Sequence, residues 1–123
     1  MPPRAAKGKI YVGASGGEFG SRGFIAAYDA ETGKEVWRFW TVPGDPAKGY
    51  EAAPQQKQIL AVAAATWGAS PYWEYTGGGG AVWDAVVFDP VLDLLYFGTG
   101  QPSPWNTAIR DPRLGDALFT NAI

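Results

Sequence analysis

The sequence predicts an all-β fold with one short helix. Glycine (17 residues) and proline (10 residues) are abundant, yet aromatic residues make up 15% of the chain. High glycine and proline content can indicate disorder, but disordered chains are poor in aromatic and β-branched residues. The combination indicates short strands, frequent turns and large side chains that pack between sheets.

The first part of the chain predicts an antiparallel sheet. Residues 9–13 form a short strand that ends in a glycine-rich turn. Residues 23–29 and 35–40 are predicted to be two further strands. The turn between them, residues 30–34, carries a late glycine, which supplies the positive φ that hairpin turns need.

The middle of the chain changes character. Residues 55–65 are rich in Gln, Ala and Leu and contain neither Gly nor Pro, which predicts a short surface helix. Strands are predicted again at residues 82–89 and 94–98, on either side of a turn at Pro90. A proline-rich loop follows at residues 101–106.

The last residues are expected to be incomplete. Residues 110–116 are predicted to be a loop, and residues 117–123 to be the beginning of a strand. Because no closing element follows, we expect the whole chain, residues 1–123, to be part of one larger domain.

Charge and residue usage exclude several functions. The chain has ten basic and twelve acidic residues, for a net charge of -2, so no basic stripe is available to bind nucleic acid. The chain has no histidine or cysteine, which removes the usual residues of zinc sites, haem attachment, thiol nucleophiles and His-based catalysis. Any metal must be bound by oxygen, which favours hard ions such as calcium. The longest apolar run, residues 59–65, is too short for a transmembrane segment, and the N-terminus lacks the apolar core of a signal peptide.

The first glycine-rich turn has the chemistry of an anion site. Ser15, Gly16 and Gly17 are small consecutive residues whose N–H groups can form a concave nest. Glu18 follows directly, and a carboxylate beside bound anions is unfavourable unless a cation lies between them. Glycine-rich turns are also common without a ligand, so an ordinary structural turn remains the alternative from these residues alone. Arg22 could brace Glu18 or cap the turn, and we favour the structural role.

A second glycine run, residues 77–80, leads to Ala81 and Trp83. The tryptophan offers a flat aromatic surface. Together with the first turn, the segment suits a planar, anionic, metal-bound cofactor.

Several motifs occur together in the order of a known family. The stretches GASGGEFGSRGFIAAYDAETGKEVWRF, TVPGDPAK, GGGGAVWDAVVFDPVLDLLYFGTGQPSPWN and GDALF cover most of the chain. They resemble the N-terminal half of the propeller domain of PQQ-dependent (quinoprotein) alcohol dehydrogenases of the type II and methanol dehydrogenase branches. Residues 27–37 also resemble the tryptophan-docking repeat of quinoprotein propellers, and residues 88–90 resemble a degenerate copy.

The resemblance implies a fold and a cofactor site. The fold would be part of an eight-bladed β-propeller, roughly two blades, which carries pyrroloquinoline quinone (PQQ) and calcium, with a lanthanide as the other possible ion. By position, Ser15, Gly16 and Gly17 match the turn that holds a PQQ carboxylate, and Glu18 matches the metal ligand. The family's stacking tryptophan and its substrate-cavity aromatic residue correspond to Trp83 and Trp105.

Two positions depart from the family pattern. Ala81 replaces a threonine that hydrogen-bonds the cofactor in many relatives, so one polar contact is lost. Gln101 stands where the family usually has a metal-binding asparagine. It keeps the amide oxygen but reaches about 1.5 Å further, which calcium can accommodate because its oxygen geometry is flexible.

The resemblance also implies a reaction and partners. An alcohol would be oxidised to an aldehyde or ketone by hydride transfer to metal-bound PQQ, and electrons would leave to cytochrome c or a fused haem domain in the periplasm. The family's catalytic base, an aspartate, lies outside this chain, and Asp84, Asp111 and Asp116 do not match it. The alternatives are a PQQ-dependent sugar or polyol dehydrogenase and a propeller-repeat scaffold that has lost the cofactor.

Overall fold

The computed structural model describes residues 2–68, 71–111, 113 and 115–123. A four-stranded antiparallel sheet and a separate two-stranded hairpin form the frame, and helices and loops connect them. Among the described residues, no helix is long and apolar enough to cross a membrane.

The four-stranded sheet has its strands in chain order. The strands are β1 (Arg4–Ala6), β2 (Lys9–Gly13), β3 (Phe24–Asp29) and β4 (Glu35–Trp40). This confirms the three predicted strands and their hairpin; the short β1 was not predicted.

The turn between β3 and β4 is closed by one carboxylate. Asp29 Oδ1 accepts hydrogen bonds from the N–H of Glu31 at 3.1 Å and from the N–H and hydroxyl of Thr32, both at 2.7 Å. Gly33 then adopts a φ of +68°, the left-handed conformation that a glycine provides at low cost. The predicted hairpin turn is therefore confirmed in its chemistry as well as its position.

The second hairpin is shorter than predicted. It consists of β5 (Val86–Asp89) and β6 (Leu94–Phe97), and its pairing starts with Val86 opposite Phe97. The prediction of a strand over residues 82–85 is wrong because the opposite chain leaves the ladder after Phe97. Gly100 instead donates to the carbonyl of Ala81 at 2.8 Å, which holds this segment as a loop.

The predicted helix is confirmed as α1 (Pro54–Ala64). Three further short helical segments were not predicted: a 3₁₀ helix (Pro46–Glu51), α2 (Tyr72–Tyr75) and α3 (Thr107–Arg110). Their hydrogen-bond caps, from Asp45 to the 3₁₀ helix and from Asn106 to α3, are local signals in the sequence.

Residues 117–123 do not begin a strand, so that prediction is wrong. Ala117, Phe119 and Asn121 have φ values of 50°, 75° and 50°, and a left-handed backbone cannot continue an extended chain. The segment is fixed instead by loop contacts: Ala117 donates to the carbonyl of Thr66 at 3.0 Å, and Thr99 donates to the carbonyl of Ala122 at 2.9 Å.

The sheets bury two apolar clusters. The first lies between the four-stranded sheet and the second hairpin and contains Tyr11, Ile25, Ala27, Val82 and Val86. The second contains Val42, Trp67, Tyr72 and Ala117, beneath the loops that form the site described below. The sheet frame agrees with the predicted fold class.

Candidate functional site

Three distant segments meet at Gly79 through backbone hydrogen bonds. Gly23 donates to the carbonyl of Gly79 at 2.8 Å, and Gly79 donates to Ser21 at 3.3 Å. On the other side, Gly80 donates to the carbonyl of Gln101 at 3.0 Å, and Ser103 donates to Gly78 at 2.8 Å. Residues 21–23, 78–80 and 101–103 are called the Gly79 crossing below. Through these hydrogen bonds the end of the predicted cofactor turn, the glycine run before Trp83 and the loop that begins at Gln101 lie next to one another.

The crossing requires glycine because the three backbones touch. A Cβ on Gly79 would lie 2.7 Å from the carbonyl oxygen of Gln101, and one on Gly80 would lie 2.6 Å from a Val42 methyl group. Both residues also have positive φ, +73° and +62°. Their N–H groups are used inside the crossing, so this glycine run serves packing and is not an open set of donors for a ligand.

The first glycine-rich turn is a closed loop with Glu18 near its tip. Ala14 donates to the carbonyl of Phe24 at 3.1 Å, and the Ser21 hydroxyl donates to the carbonyl of Ser15 at 3.1 Å. Across the described parts of the chain, the N–H groups of Gly16 and Gly17 donate no hydrogen bond. The predicted nest therefore keeps two donors for an anion.

Glu18 and Gln101 are brought together across 83 residues of sequence. The Gln101 amide donates to Glu18 Oε1 at 2.9 Å, and both side chains are exposed. This hydrogen bond turns the amide nitrogen of Gln101 toward Glu18, while Gln101 Oε1 makes no hydrogen bond within the described residues. A rotation of the amide would place a second oxygen beside the carboxylate. Carboxylate and amide oxygens are ligands that calcium prefers. No group of three or more acidic side chains that could hold a metal occurs among the described residues.

These residues line one cleft of about 560 Å³. Trp83 stands at its wall with 59% of its surface exposed, beside Gly100. The lining residues are Gly16, Gly17, Glu18, Phe19, Ala81, Trp83, Thr99, Gly100, Gln101 and Asn121. Among the described residues of this lining, Glu18 is the only charged group. Ser15, the remaining predicted cofactor residue, is exposed next to the cleft but does not line it.

Trp105 belongs to an adjoining cleft of about 510 Å³, which shares Gly17, Glu18 and Gln101 with the first. Its side chain is 71% exposed. The buried Arg110 in α3 fixes the loop by donating to the carbonyl of Pro104 at 2.7 Å. The structure thus places the predicted substrate-wall residue next to the predicted metal ligands.

Four lining residues were not predicted: Phe19, Thr99, Gly100 and Asn121. Phe19 directly follows Glu18 in the same turn, so its position in the sequence was a usable signal. Asn121 reaches the cleft because its N–H donates to the carbonyl of Gly100 at 3.1 Å, and no local pattern announces that contact.

The other carboxylates considered lie outside both clefts. Asp111 is buried and ion-paired with Arg113 at 3.0 Å, and this hydrogen bond holds its pKa below the ordinary value. Asp84 and Asp116 belong to neither lining. The expectation that none of the three is the catalytic base stays a prediction.

A four-stranded antiparallel sheet in chain order, packed against a second hairpin, is the arrangement expected of one β-propeller blade and part of its neighbour. The chain belongs to the β-propeller domain family described as "PQQ: Glucose/ethanol/alcohol dehydrogenase, beta-propeller domain", which matches residues 1–123. The resemblance found in the sequence is confirmed at the level of the family.

Individual relatives and solved structures support the same family assignment. The quinohemoprotein alcohol dehydrogenase ADH IIB of Pseudomonas putida is 54% identical over 98% of this chain. The crystal structure of quinohemoprotein alcohol dehydrogenase from Comamonas testosteroni superposes on 95% of the chain with a TM-score of 0.84 and 47% identity, and the match covers 17% of that protein. A europium-containing methanol dehydrogenase superposes on 95% of this chain and 20% of its own, with a TM-score of 0.69 and 35% identity. The chain spans 17% of the length of the Pseudomonas putida relative.

Proposed function

We propose that the chain forms one wall of the PQQ and cation site of an alcohol dehydrogenase that oxidises alcohols to aldehydes or ketones. The observation that carries the proposal is the meeting of Glu18, Gln101 and Trp83 around a single cleft. Oxygen ligands, an exposed aromatic face and two free N–H groups are three different requirements of a planar, anionic, metal-bound cofactor. Family membership over the whole chain supports the same conclusion.

The donor set fits the cofactor only if a cation accompanies it. PQQ carries carboxylates, whereas no cationic side chain lines the described cleft and Glu18 is itself an anion. A cation between Glu18 and the cofactor would remove this repulsion. We propose calcium, bound by Glu18 and Gln101 with further oxygens from outside the chain. The related methanol dehydrogenase that contains europium makes a lanthanide the second candidate.

Each residue has a specific proposed task. Gly16 and Gly17, with the Ser15 hydroxyl, would hold a cofactor carboxylate, and Trp83 would fix the ring plane by stacking. The methyl group of Ala81, 4% exposed, would pack against the cofactor without a polar contact. Once bound, PQQ supplies a carbonyl acceptor for the hydride of the alcohol carbon.

Trp105 would shape the substrate side, because its cleft adjoins Glu18 and Gln101. The base that takes the alcohol proton would come from outside the chain. The proposal for the whole protein is an eight-bladed propeller of which this chain supplies roughly two blades. The term quinohemoprotein in the relatives' names supports a haem domain or cytochrome c as the electron acceptor. We propose a periplasmic location on the same family grounds.

A scaffold without cofactor is the second candidate. One observation favours it: Glu18 already accepts a hydrogen bond from Gln101, so the pair is satisfied without a cation. The family description also includes glucose dehydrogenases, so a sugar or polyol is the alternative substrate class.

A titration with PQQ and calcium, followed by tryptophan fluorescence, separates these candidates. We expect calcium-dependent quenching in the unchanged chain and its loss in Trp83→Ala. Trp37→Ala is the matched control, since Trp37 is 37% exposed on the sheet and lines neither cleft. Absence of calcium-dependent quenching in the folded chain would favour the scaffold. Quenching that survives in Trp83→Ala would instead remove Trp83 from the proposed stacking role, with Trp105 of the adjoining cleft as the reporting residue.

A further inference from the structure

The side chain of Arg22 is fixed at four points outside the site, three on the loop of residues 42–51 and one on Trp40 at the end of β4. Nε donates to the carbonyl of Val42 and Nη2 to the carbonyl of Tyr50, both at 2.9 Å. The guanidinium stacks over Trp40 at 4.0 Å from the ring centroid and lies 3.5 Å from a Glu51 carboxylate oxygen. Burial lowers the pKa of Arg22 to about 10, so the group is still a cation at neutral pH.

The loop of residues 42–51 packs closely around the guanidinium of Arg22. A Cβ on Gly44 would lie 2.7 Å from Arg22 Nη1. Gly49, Tyr50 and Glu51 have consecutive φ values of 61°, 59° and 51°. Left-handed conformations are strained for non-glycine residues and persist where surrounding contacts enforce them. Arg22 supplies such a contact at the carbonyl of Tyr50.

The backbone of Arg22 lies in the Gly79 crossing. Its two neighbours form the hydrogen bonds to Gly79: the carbonyl of Ser21 accepts from Gly79, and the N–H of Gly23 donates to it. The same crossing holds Gln101 through Gly80, and the turn that carries Glu18 ends at Arg22. One residue therefore joins the 42–51 loop to the segments that carry both oxygen ligands.

We propose that Arg22 is a positioning residue that sets Glu18 against Gln101 by anchoring the Gly79 crossing to the 42–51 loop. This inference rests on the proposed function for its consequence, which is tighter cation binding. Lysine cannot fully replace Arg22, because the planar guanidinium donates to two carbonyls and stacks on an aromatic ring at the same time, which a single ammonium group cannot do.

Terbium is a suitable probe, because it is an oxygen-seeking ion whose emission is sensitised by nearby tryptophan. The variants are Arg22→Met, Arg22→Lys and, as a matched control, Arg38→Met. Arg38 also stacks on an aromatic ring, Phe24 at 4.1 Å, and pairs with Glu35 at 2.6 Å, but it lies on β4, outside the crossing. Thermal unfolding measures what each change does to the fold.

We expect Arg22→Met to weaken terbium binding about tenfold or more, which corresponds to about 1.4 kcal/mol. The terbium affinity of Arg22→Lys should lie between that of Arg22→Met and that of the unchanged chain. Arg38→Met should bind terbium as tightly as the unchanged chain does. Without any ligand, the NMR resonance of the Gln101 side-chain amide should shift in Arg22→Met and stay in place in Arg38→Met, because it reports the hydrogen bond to Glu18.

Unchanged terbium affinity with an unmoved Gln101 resonance would overturn the proposal, as would equal losses in Arg22→Met and Arg38→Met. If Arg22→Met does not fold, Arg22→Lys carries the test with the same two readouts. A complete lack of terbium binding in the folded, unchanged chain would count against the proposed function. In that case the Gln101 resonance decides the role of Arg22 by itself.

Discussion

The four-stranded sheet and the Gly79 crossing are both held by backbone hydrogen bonds, yet different information specifies them. In the sheet, neighbours in sequence pair with each other, and strand patterns and turn residues such as Asp29 and Gly33 determine the register. In the crossing, three segments far apart in sequence pair only because glycine lets their backbones touch. The sheet is therefore a stable frame, whereas the site depends on a few close fits. The two can be perturbed separately.

The largest expected effect is in the sheet core. Ile25 is fully buried between the sheet and the second hairpin, so Ile25→Ala removes packed methyl groups and leaves a cavity. We expect a loss of about 2–5 kcal/mol in the free energy of unfolding, measured with urea. Terbium affinity, measured on the folded fraction, should be unchanged. A large fall in affinity would mean that frame and site are not separable. Val36→Ala, 51% exposed on the same sheet, is the control and should cost much less.

The next effect tests the crossing. In Gly23→Ala the new Cβ would overlap the carbonyl oxygen of Gly80 and press on the Thr41 hydroxyl, so the backbones must separate. We expect a loss of about 1–3 kcal/mol in unfolding free energy, together with weaker terbium binding. Gly98→Ala is the control, because a Cβ there meets nothing within 4 Å. Equal stability of the two variants would show that the crossing tolerates separation.

A third change affects the site alone. Glu18 is exposed, so Glu18→Gln should alter the unfolding free energy by no more than about 0.5 kcal/mol. Loss of the one charged oxygen ligand in the described cleft should weaken terbium binding by about tenfold or more. Glu74→Gln removes an exposed carboxylate from α2 and should leave affinity unchanged. Retained affinity in Glu18→Gln would remove this residue from the proposed ligand set.

The smallest effect concerns the turn of the sheet. Hydrogen bonds from the Thr32 hydroxyl and N–H hold the pKa of Asp29 below its ordinary value of 3.8. A carboxyl whose folded pKa is lowered adds stability above its unfolded pKa, and this contribution disappears as the pH falls through the folded pKa. Unfolding measured from pH 7 downward should therefore show a small loss that begins near about pH 4. Asp29→Asn should lack this component, and the same acid dependence in both proteins would contradict the assignment.

The contrast between the sheet and the crossing also explains which parts of the structure could be predicted from the sequence. Strands β2 to β4 and α1 were predictable because their signals are local: short apolar runs, a turn glycine and a stretch without Gly or Pro. The predicted strand at residues 82–85 failed because Ala81 pairs with Gly100 instead of extending the hairpin. The candidate site was reached largely through resemblance. Its contact between Glu18 and Gln101 spans 83 residues, and no local pattern encodes it.

The crossing also has a kinetic consequence. Loop-closure entropy opposes contacts between distant residues, so the sheet hairpins can form early while the closure that joins residues 21–23, 78–80 and 101–103 comes late. In a stopped-flow refolding experiment, circular dichroism should then recover before terbium emission does. The chain would form its antiparallel sheet first and become able to bind a cation last. Metal binding would therefore wait until the three segments of the Gly79 crossing have come together.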